Sequence, residues 1–349
     1  MNLPVPLQLI GFPGSPYTRK MLALLRFKRI PYSVIWDDPL QTLNQLDVEA
    51  PQPTLLPVFL LHEGDNLKAK CDSTPIIREI ETLSPNRSVI PNDPALGFIN
   101  YLLEDFGDEW VTKYMFHFRW HFKQDIDHAG DILPLWRKIN LDQKSHTEAK
   151  KFISDLQISR LWVVGSNEKT ASIIESSYKR FLALLEEHFS GSSFLLGSRP
   201  SSADFSIFGQ LTQLVGFDPT SRDLAKTISP RTSAWVDIVE DLSGLDENNI
   251  NWFSLDDLPK SVSKIFHEVG KGYTQTMLAN YKAFKNADST WKINLEDKAW
   301  EQKTFPYQAK CLDWIKQEFE LLSNQDQTRV YNFLSGTGCE ELIAPMDLD

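Results

Sequence analysis

The stretch Leu7-Gln8-Leu9-Ile10-Gly11-Phe12-Pro13-Gly14-Ser15-Pro16-Tyr17-Thr18-Arg19-Lys20-Met21-Leu22-Ala23-Leu24-Leu25 decides the fold of this chain. An apolar run (Leu7, Leu9, Ile10, Phe12) stops at Pro13-Gly14, and a helix begins at once with Ser15 and Pro16. Serine is a favoured N-cap because its side-chain oxygen accepts a backbone N–H of the first turn. Proline suits the first helical position, where its missing donor costs nothing. The pattern predicts a strand, a tight turn, and a hydroxyl held at the positive end of a helix. Such a place favours a bound anion or thiolate. The plain reading of Ser15 is an ordinary cap, and three later segments shift that weight.

The first is Thr54-Leu55-Leu56-Pro57-Val58-Phe59-Leu60-Leu61, a buried-strand pattern interrupted by a proline. A proline there implies an edge, a bulge or a cis bond, and a cis Leu56–Pro57 bond is expected. The second is Cys71-Asp72-Ser73-Thr74-Pro75-Ile76-Ile77-Arg78-Glu79-Ile80, another polar pair opening a helix. The third is Phe194-Leu195-Leu196-Gly197-Ser198-Arg199-Pro200-Ser201-Ser202-Ala203-Asp204-Phe205. It places Asp204 three residues after Ser201, where a capping box normally has Glu or Gln. The apolar helix behind it (Phe205, Ile207, Phe208, Leu211, Leu214) reads as buried.

Each motif alone is weak, but in this order they resemble the cytosolic glutathione S-transferases of the serine type. The resemblance implies an α/β thioredoxin-like N-terminal domain at residues 5–91, which binds glutathione. An all-α transferase C-terminal domain at 95–245 follows it. It further implies glutathione as co-substrate, a hydrophobic small molecule as its partner in conjugation, and a homodimer. Residue by residue, Ser15 would donate its hydroxyl to the glutathione sulfur, in preference to Tyr17 or Thr18. The backbone of Leu56, beside cis-Pro57, would pair with the cysteinyl unit, and Asp72 and Ser73 would hold the γ-glutamyl end. A free thiol titrates near pH ~8.5, so the task of such a site is to lower that value. One departure stands out: Gln52-Pro53-Thr54 carries no lysine ahead of the Leu-Pro-Val strand, where many members have one. Arg19 or Lys20 is a candidate replacement. Cys71, next to the binding pair, is either a reactive thiol or a buried inert one, and the second reading is preferred.

The composition narrows partners. The chain has 47 acidic and 36 basic residues in 349, a formal charge of −11, which disfavours nucleic acid. Met1-Asn2-Leu3-Pro4-Val5-Pro6 lacks the features of a signal peptide, and no apolar run approaches the ~20 residues that span a bilayer. Cys71, Cys311 and Cys339 are too scattered for a disulfide framework or a metal knuckle. A cytoplasmic protein is expected.

Along the chain, strands are expected at 32–36, 55–61 and 67–70, the last pair joined by the turn Glu63-Gly64-Asp65-Asn66, with a helix over 73–83. Past the punctuated linker Asn86–Pro94 the periodicity is helical, with helices near 95–123, 129–138, 146–160, 168–189, 202–214 and 231–241. Residues 246–349 exceed the usual length of the transferase fold. Their many aromatics, including Trp252, Trp291, Trp300 and Trp314, imply a mostly helical extension packed on the helical domain. Within it, Trp291–Leu295 alternates like a strand and Tyr307–Leu322 reads as an amphipathic helix. Asp108-Glu109-Trp110 and Tyr307-Gln308-Ala309-Lys310-Cys311 resemble segments of longer bacterial members of the family.

In Trp110–Phe122, the residues Trp110, Tyr114, His117 and His121 fall on one stripe at about 100° per residue, followed by Asp125 and His128. By the resemblance this helix would line the electrophile pocket, with Tyr17 beside it. A shared metal is not expected, because His117 to His128 would span about 16 Å of helix axis. Two functions remain in view: Ser15-driven conjugation of glutathione to a hydrophobic electrophile, which is preferred, and a non-catalytic binding or scaffold protein with a vestigial site.

Overall fold

The computed structural model describes residues 3–64 and 66–345. Met1, Asn2 and the expected turn residue Asp65 lie outside the described residues. Strand β1 (Leu7–Ile10) leads through α1 (Pro16–Phe27) to β2 (Tyr32–Ile35), and α2 (Pro39–Gln45) follows. Then come β3 (Val58–Glu63), β4 (Asn66–Lys70) and α3 (Ser73–Leu83). The sheet order is β2-β1-β3-β4. β1 runs parallel to β2, with Leu7 opposite Tyr32, and antiparallel to β3, with Leu9 opposite Phe59. This is the expected α/β thioredoxin-like arrangement, a βαβ unit followed by a ββα unit. The Leu56–Pro57 bond is cis, as is Gln52–Pro53.

The helical part comprises α4 (Pro94–Phe106), α5 (Thr112–His121), α6 (Lys123–Arg137), α7 (Gln143–Ile158) and α8 (Ala171–His188). It continues with α9 (Ser202–Leu214), α10 (Pro219–Ile228) and α11 (Pro230–Val239). α9 is buried throughout and is the axle on which α1 and α4 pack. A Cβ on Gly209 would collide with the Pro16 carbonyl oxygen, so this close approach of α1 to α9 requires glycine. The expected capping box is present, and in it the Asp204 carboxylate accepts the Ser201 N–H at 2.8 Å and its hydroxyl at 2.7 Å.

The expected helix over 95–123 is interrupted once before it ends close to its expected limit. Gly107–Val111 is a π turn, where α9 presses in: Ser206 Oγ donates to the Glu104 carbonyl (2.8 Å) and to Asp108 Oδ1 (2.9 Å). The helix then ends at His121, because Phe122 is extended (φ −90°, ψ 132°). α6 is anchored on a new heading by buried Asp125, which accepts the Thr220 N–H at 2.9 Å. His117 and His128 therefore sit on different helices.

The extension holds α12 (Lys260–Val269), a second π turn (Gly270–Thr274), α13 (Gln275–Lys285), a hairpin of β5 (Thr290–Leu295) and β6 (Lys298–Lys303), α14 (Pro306–Glu320) and α15 (Asn324–Leu334). Its apolar residues join one buried cluster that runs from Leu7 to Leu342. Trp300 is fully buried and stacks on Trp110 with ring centroids 5.5 Å apart. Trp291 is buried too, whereas Trp252 and Trp314 are half-buried. α14 and α15 lie along α4, with Phe319 against Phe98 at 5.5 Å and Arg329 forked onto Asp93 at 2.7 and 2.9 Å.

Candidate functional site

Ser15 stands where β1 has ended and α1 begins. Its φ of −89° and ψ of 118° are those of an N-cap, and its Oγ accepts the Thr18 N–H at 3.2 Å. The loop before it is clamped from the helical side. Arg119 donates to the Gly14 carbonyl at 3.1 Å and is itself held by Asp218 at 2.8 Å. Phe12 meets Trp136 edge-on at 6.2 Å, and a Cβ on Gly14 would crowd Leu133, so α6 rests directly on this loop. The Tyr17 hydroxyl donates to the Asp108 carbonyl at 2.8 Å. Burial, reinforced by Glu109 and Asp108, pushes it well above the ordinary tyrosine range.

Asp72 opens α3 but caps nothing. It has φ of +82° with no side-chain cap bond, and its Oδ2 accepts from the Tyr307 hydroxyl of α14 at 2.9 Å. Ser73 is buried, and its Oγ accepts from Lys20 Nζ at 3.0 Å. Lys20 also donates to Glu104 Oε1 (2.9 Å) and Asp108 Oδ2 (2.6 Å). Arg78 donates to Glu104 Oε2 at 2.6 Å. Burial alone would raise the Glu104 carboxyl, but Arg78 and Lys20 overcome it and hold it at about 2. Neither candidate replacement for the missing lysine is open: Lys20 is committed here, and Arg19 pairs with Glu240 at 2.6 Å.

Between this first-domain edge and α14 lies a pocket of about 750 Å³. One wall is the proline loop at Pro51, Pro53 and Leu55 with Cys71 and Asp72, and the other is Tyr307, Lys310 and Trp314. The volume falls in the ~300–1,000 Å³ range of small-molecule sites. Lys310 Nζ lies 4.1 Å from the centroid of the Trp314 ring and, among the described residues, makes no ion pair. The Cys71 thiol donates to the Pro53 carbonyl at 3.2 Å, and burial raises its pKa. Cys71 is therefore a half-buried neutral thiol.

The stripe expected to face a substrate lies elsewhere. Trp110 is sandwiched into the Trp300 contact, and its indole donates to the Tyr114 hydroxyl at 2.6 Å. Tyr114 and Ser177 hydroxyls are 2.7 Å apart. His117 is fully buried, 2.7 Å from Ser166 Oγ and stacked at 4.5 Å on the exposed His121. Burial, with His121 adding, pushes His117 down to about 3, so it is neutral.

Residues 9–88 match the glutathione S-transferase N-terminal domain, and residues 167–241 match its C-terminal domain. Two stretches of the chain thus match glutathione S-transferase domains, and together they cover less than half of its 349 residues. No curated protein is significantly similar to it. Among solved structures it is similar to a GST-like protein from Pseudomonas syringae, with 19% identity over 67% of this chain and 66% of that one, at a TM-score of 0.43. It is also similar to a glutathione transferase from Burkholderia graminis with two glutathione molecules bound per subunit (18%, 70% and 88%, 0.41). A third is a glutathione transferase from Pseudomonas putida with one glutathione disulfide bound per subunit (17%, 70% and 87%, 0.40).

Sequence reasoning missed the wall that α14 builds. The signal was present in Tyr307-Gln308-Ala309-Lys310-Cys311, whose tyrosine and lysine face the pocket while Gln308 and Cys311 are buried. It missed the Lys20 network as well, because nothing local separates fully buried Lys20 from its partly exposed neighbour Arg19.

Proposed function

We propose that this transferase-fold chain binds glutathione in the pocket between its first domain and α14, and that holding the tripeptide is its main task. The observation behind this is the pocket's make-up: Asp72 and the loop Pro51–Leu55, just ahead of Leu56–Pro57, on one wall, Tyr307 and Lys310 on the other. The α-amino group of the γ-glutamyl end would meet Asp72, and the Leu56 backbone would pair with the cysteinyl unit. Lys310 would take over the carboxylate contact for which the sequence around Gln52 has no lysine. The wall expected to receive an electrophile is filled by protein, with Trp300 on Trp110.

Conjugation by Ser15 is the second reading, and one observation favours it. The Ser15 oxygen accepts from Thr18, which leaves its O–H to donate to a thiolate. Retention on immobilised glutathione, run alongside a chromogenic aryl-halide assay, separates the two. Binding predicts retention that Asp72→Ala or Lys310→Ala weakens, with arylation at the uncatalysed rate. Arylation above that rate, with a pH–rate profile that moves in Ser15→Ala, establishes conjugation. A chain that glutathione neither retains nor elutes overturns both readings.

A further inference from the structure

A second cavity, about 590 Å³, opens where the α1–β2 turn, the linker after α3 and the start of the extension meet. Its wall carries Lys28, Arg29, Arg87 and Arg199 against a single acid, Glu247, with Trp252 beside them. In a chain of net charge −11 this is a concentrated positive patch. Lys28 is neutralised by Glu81 at 2.6 Å. The three arginines are held differently. Arg87 donates to the carbonyls of Phe27, Leu245 (3.0 Å) and Leu242 (3.2 Å). Arg29 donates to the Ser243 carbonyl at 2.7 Å, and Arg199 to the Ser88 carbonyl at 3.0 Å.

Neutral carbonyls fix a guanidinium in place without cancelling its charge. Glu247 is the one carboxylate near them in the wall, and it is shared at 3.9 Å from Arg87 and 3.6 Å from Arg199. Three guanidiniums against one shared carboxylate leave an excess of two charges, with exposed Asp246 outside the wall. The mutual repulsion shows in Arg87, which burial and then Arg29 push below the ordinary arginine value. Arg29 and Arg87 also keep left-handed backbones, φ 55° and 51°, a conformation costly for any residue but glycine. Arg199 lies 4.8 Å from the centroid of the Trp252 ring, and the Trp252 indole N–H has no hydrogen-bond partner in the described structure.

We propose that this cavity binds a small, soluble, phosphate-bearing anion, with Arg29, Arg87 and Arg199 supplying the charge and Trp252 an aromatic wall. Fixed guanidinium forks match phosphate oxygens bidentately, and an excess of two charges suits a polyvalent anion better than a monocarboxylate. Because the wall draws on the first domain, the linker and the extension, an occupant would tie all three together.

The test is titration calorimetry and thermal melting of the full chain with inorganic phosphate, pyrophosphate and acetate at constant ionic strength. Pyrophosphate should bind saturably, tighter than phosphate, and raise Tm, with acetate inert. Arg29→Gln should weaken pyrophosphate about tenfold, and Glu247→Gln should tighten it several-fold, both variants melting cooperatively without ligand. Binding that acetate matches, or that neither variant changes, overturns the proposal, as does the lack of saturable binding at millimolar pyrophosphate. Co-sedimentation with phosphatidylglycerol vesicles through the same arginines would move the phosphate to a membrane and overturn the small-molecule form.

Discussion

Two polar residues open helices in the first domain, and they meet opposite fates. Ser15 spends its oxygen on its own helix, accepting the Thr18 N–H, beneath a loop that α6 and Arg119 hold down. Asp72 caps nothing, bends its backbone to φ +82°, and turns its carboxylate to Tyr307 at the edge of an open pocket. In sequence both read as helix caps. The difference teaches that the same place at a helix start can turn a side chain back onto its own helix or outward to another element. One end of the first domain is sealed, and the other is roofed but open.

The filled wall at Trp110 is tested hardest at Trp300. It is fully buried between Trp110 and the 163–165 turn, and its indole donates to Gln302 Oε1 at 3.2 Å. Trp300→Ala should cost ~3–5 kcal/mol, the usual range for emptying a buried aromatic site. Denaturant unfolding measures it. A loss under 1 kcal/mol would mean that the extension lies loosely on the helical domain and that the wall built by Trp110 can open.

The next largest effect is a pH dependence at His117, on the same stripe as Trp110. The folded chain holds His117 neutral down to about pH 3, whereas an unfolded histidine takes up a proton below about pH 6.5. As pH falls below that value the unfolded state gains a proton that the folded state refuses, so stability declines. The linkage slope approaches ~1.4 kcal/mol per pH unit, or about 2 kcal/mol between pH 8 and pH 5. His117→Phe should remove that share of the decline. Parallel stability curves for the variant and the wild type would show that His117 accepts a proton in the folded state, through Glu175 at 3.7 Å.

Much of the first domain's framework, and the cap of α9, is legible in local sequence, because these signals span few residues. The β1–turn–Ser15 unit, the cis Leu56–Pro57 bond, the Asp72-Ser73 helix start and the Ser201/Asp204 cap all rest on neighbours within a turn or two. The roof is not legible in that way. Tyr307 reaches Asp72 across 235 residues of chain, and no periodicity records such a contact. The helix end near 123 was expected, but the immediate restart at Lys123 was not, because the buried Asp125–Thr220 bond that anchors α6 spans 95 residues of chain. The hairpin was half visible: β5 alternates cleanly, while its partner Lys298–Lys303 is charged at both ends.

Removing the Ser15 side chain should have a moderate structural effect. Ser15→Ala deletes one cap bond and should cost ~1 kcal/mol. If the pH–rate profile of any thiol-dependent reaction stays where it is, Ser15 is a cap and nothing more. A shift toward higher pH would show the hydroxyl stabilising a thiolate, and the contrast with Asp72 would fail.

The smallest expected change in stability is at Asp72, and there the two helix starts separate most clearly. Asp72→Gly relieves a left-handed backbone, worth ~1–3 kcal/mol, less the ~0.4–1 kcal/mol that glycine's freedom in the unfolded chain costs. It also deletes the Tyr307 hydrogen bond, a loss of ~0.5–1.5 kcal/mol. These terms nearly cancel, so denaturation midpoints should move little. Retention on immobilised glutathione should nonetheless fall, because the carboxylate facing the pocket is gone. Tyr307→Phe supplies the control: it frees the Asp72 carboxylate of its donor while leaving the ring in the roof, and retention should hold or rise. If Asp72→Gly is instead strongly destabilising with retention intact, Asp72 serves the fold through Tyr307, and both helix starts are structural.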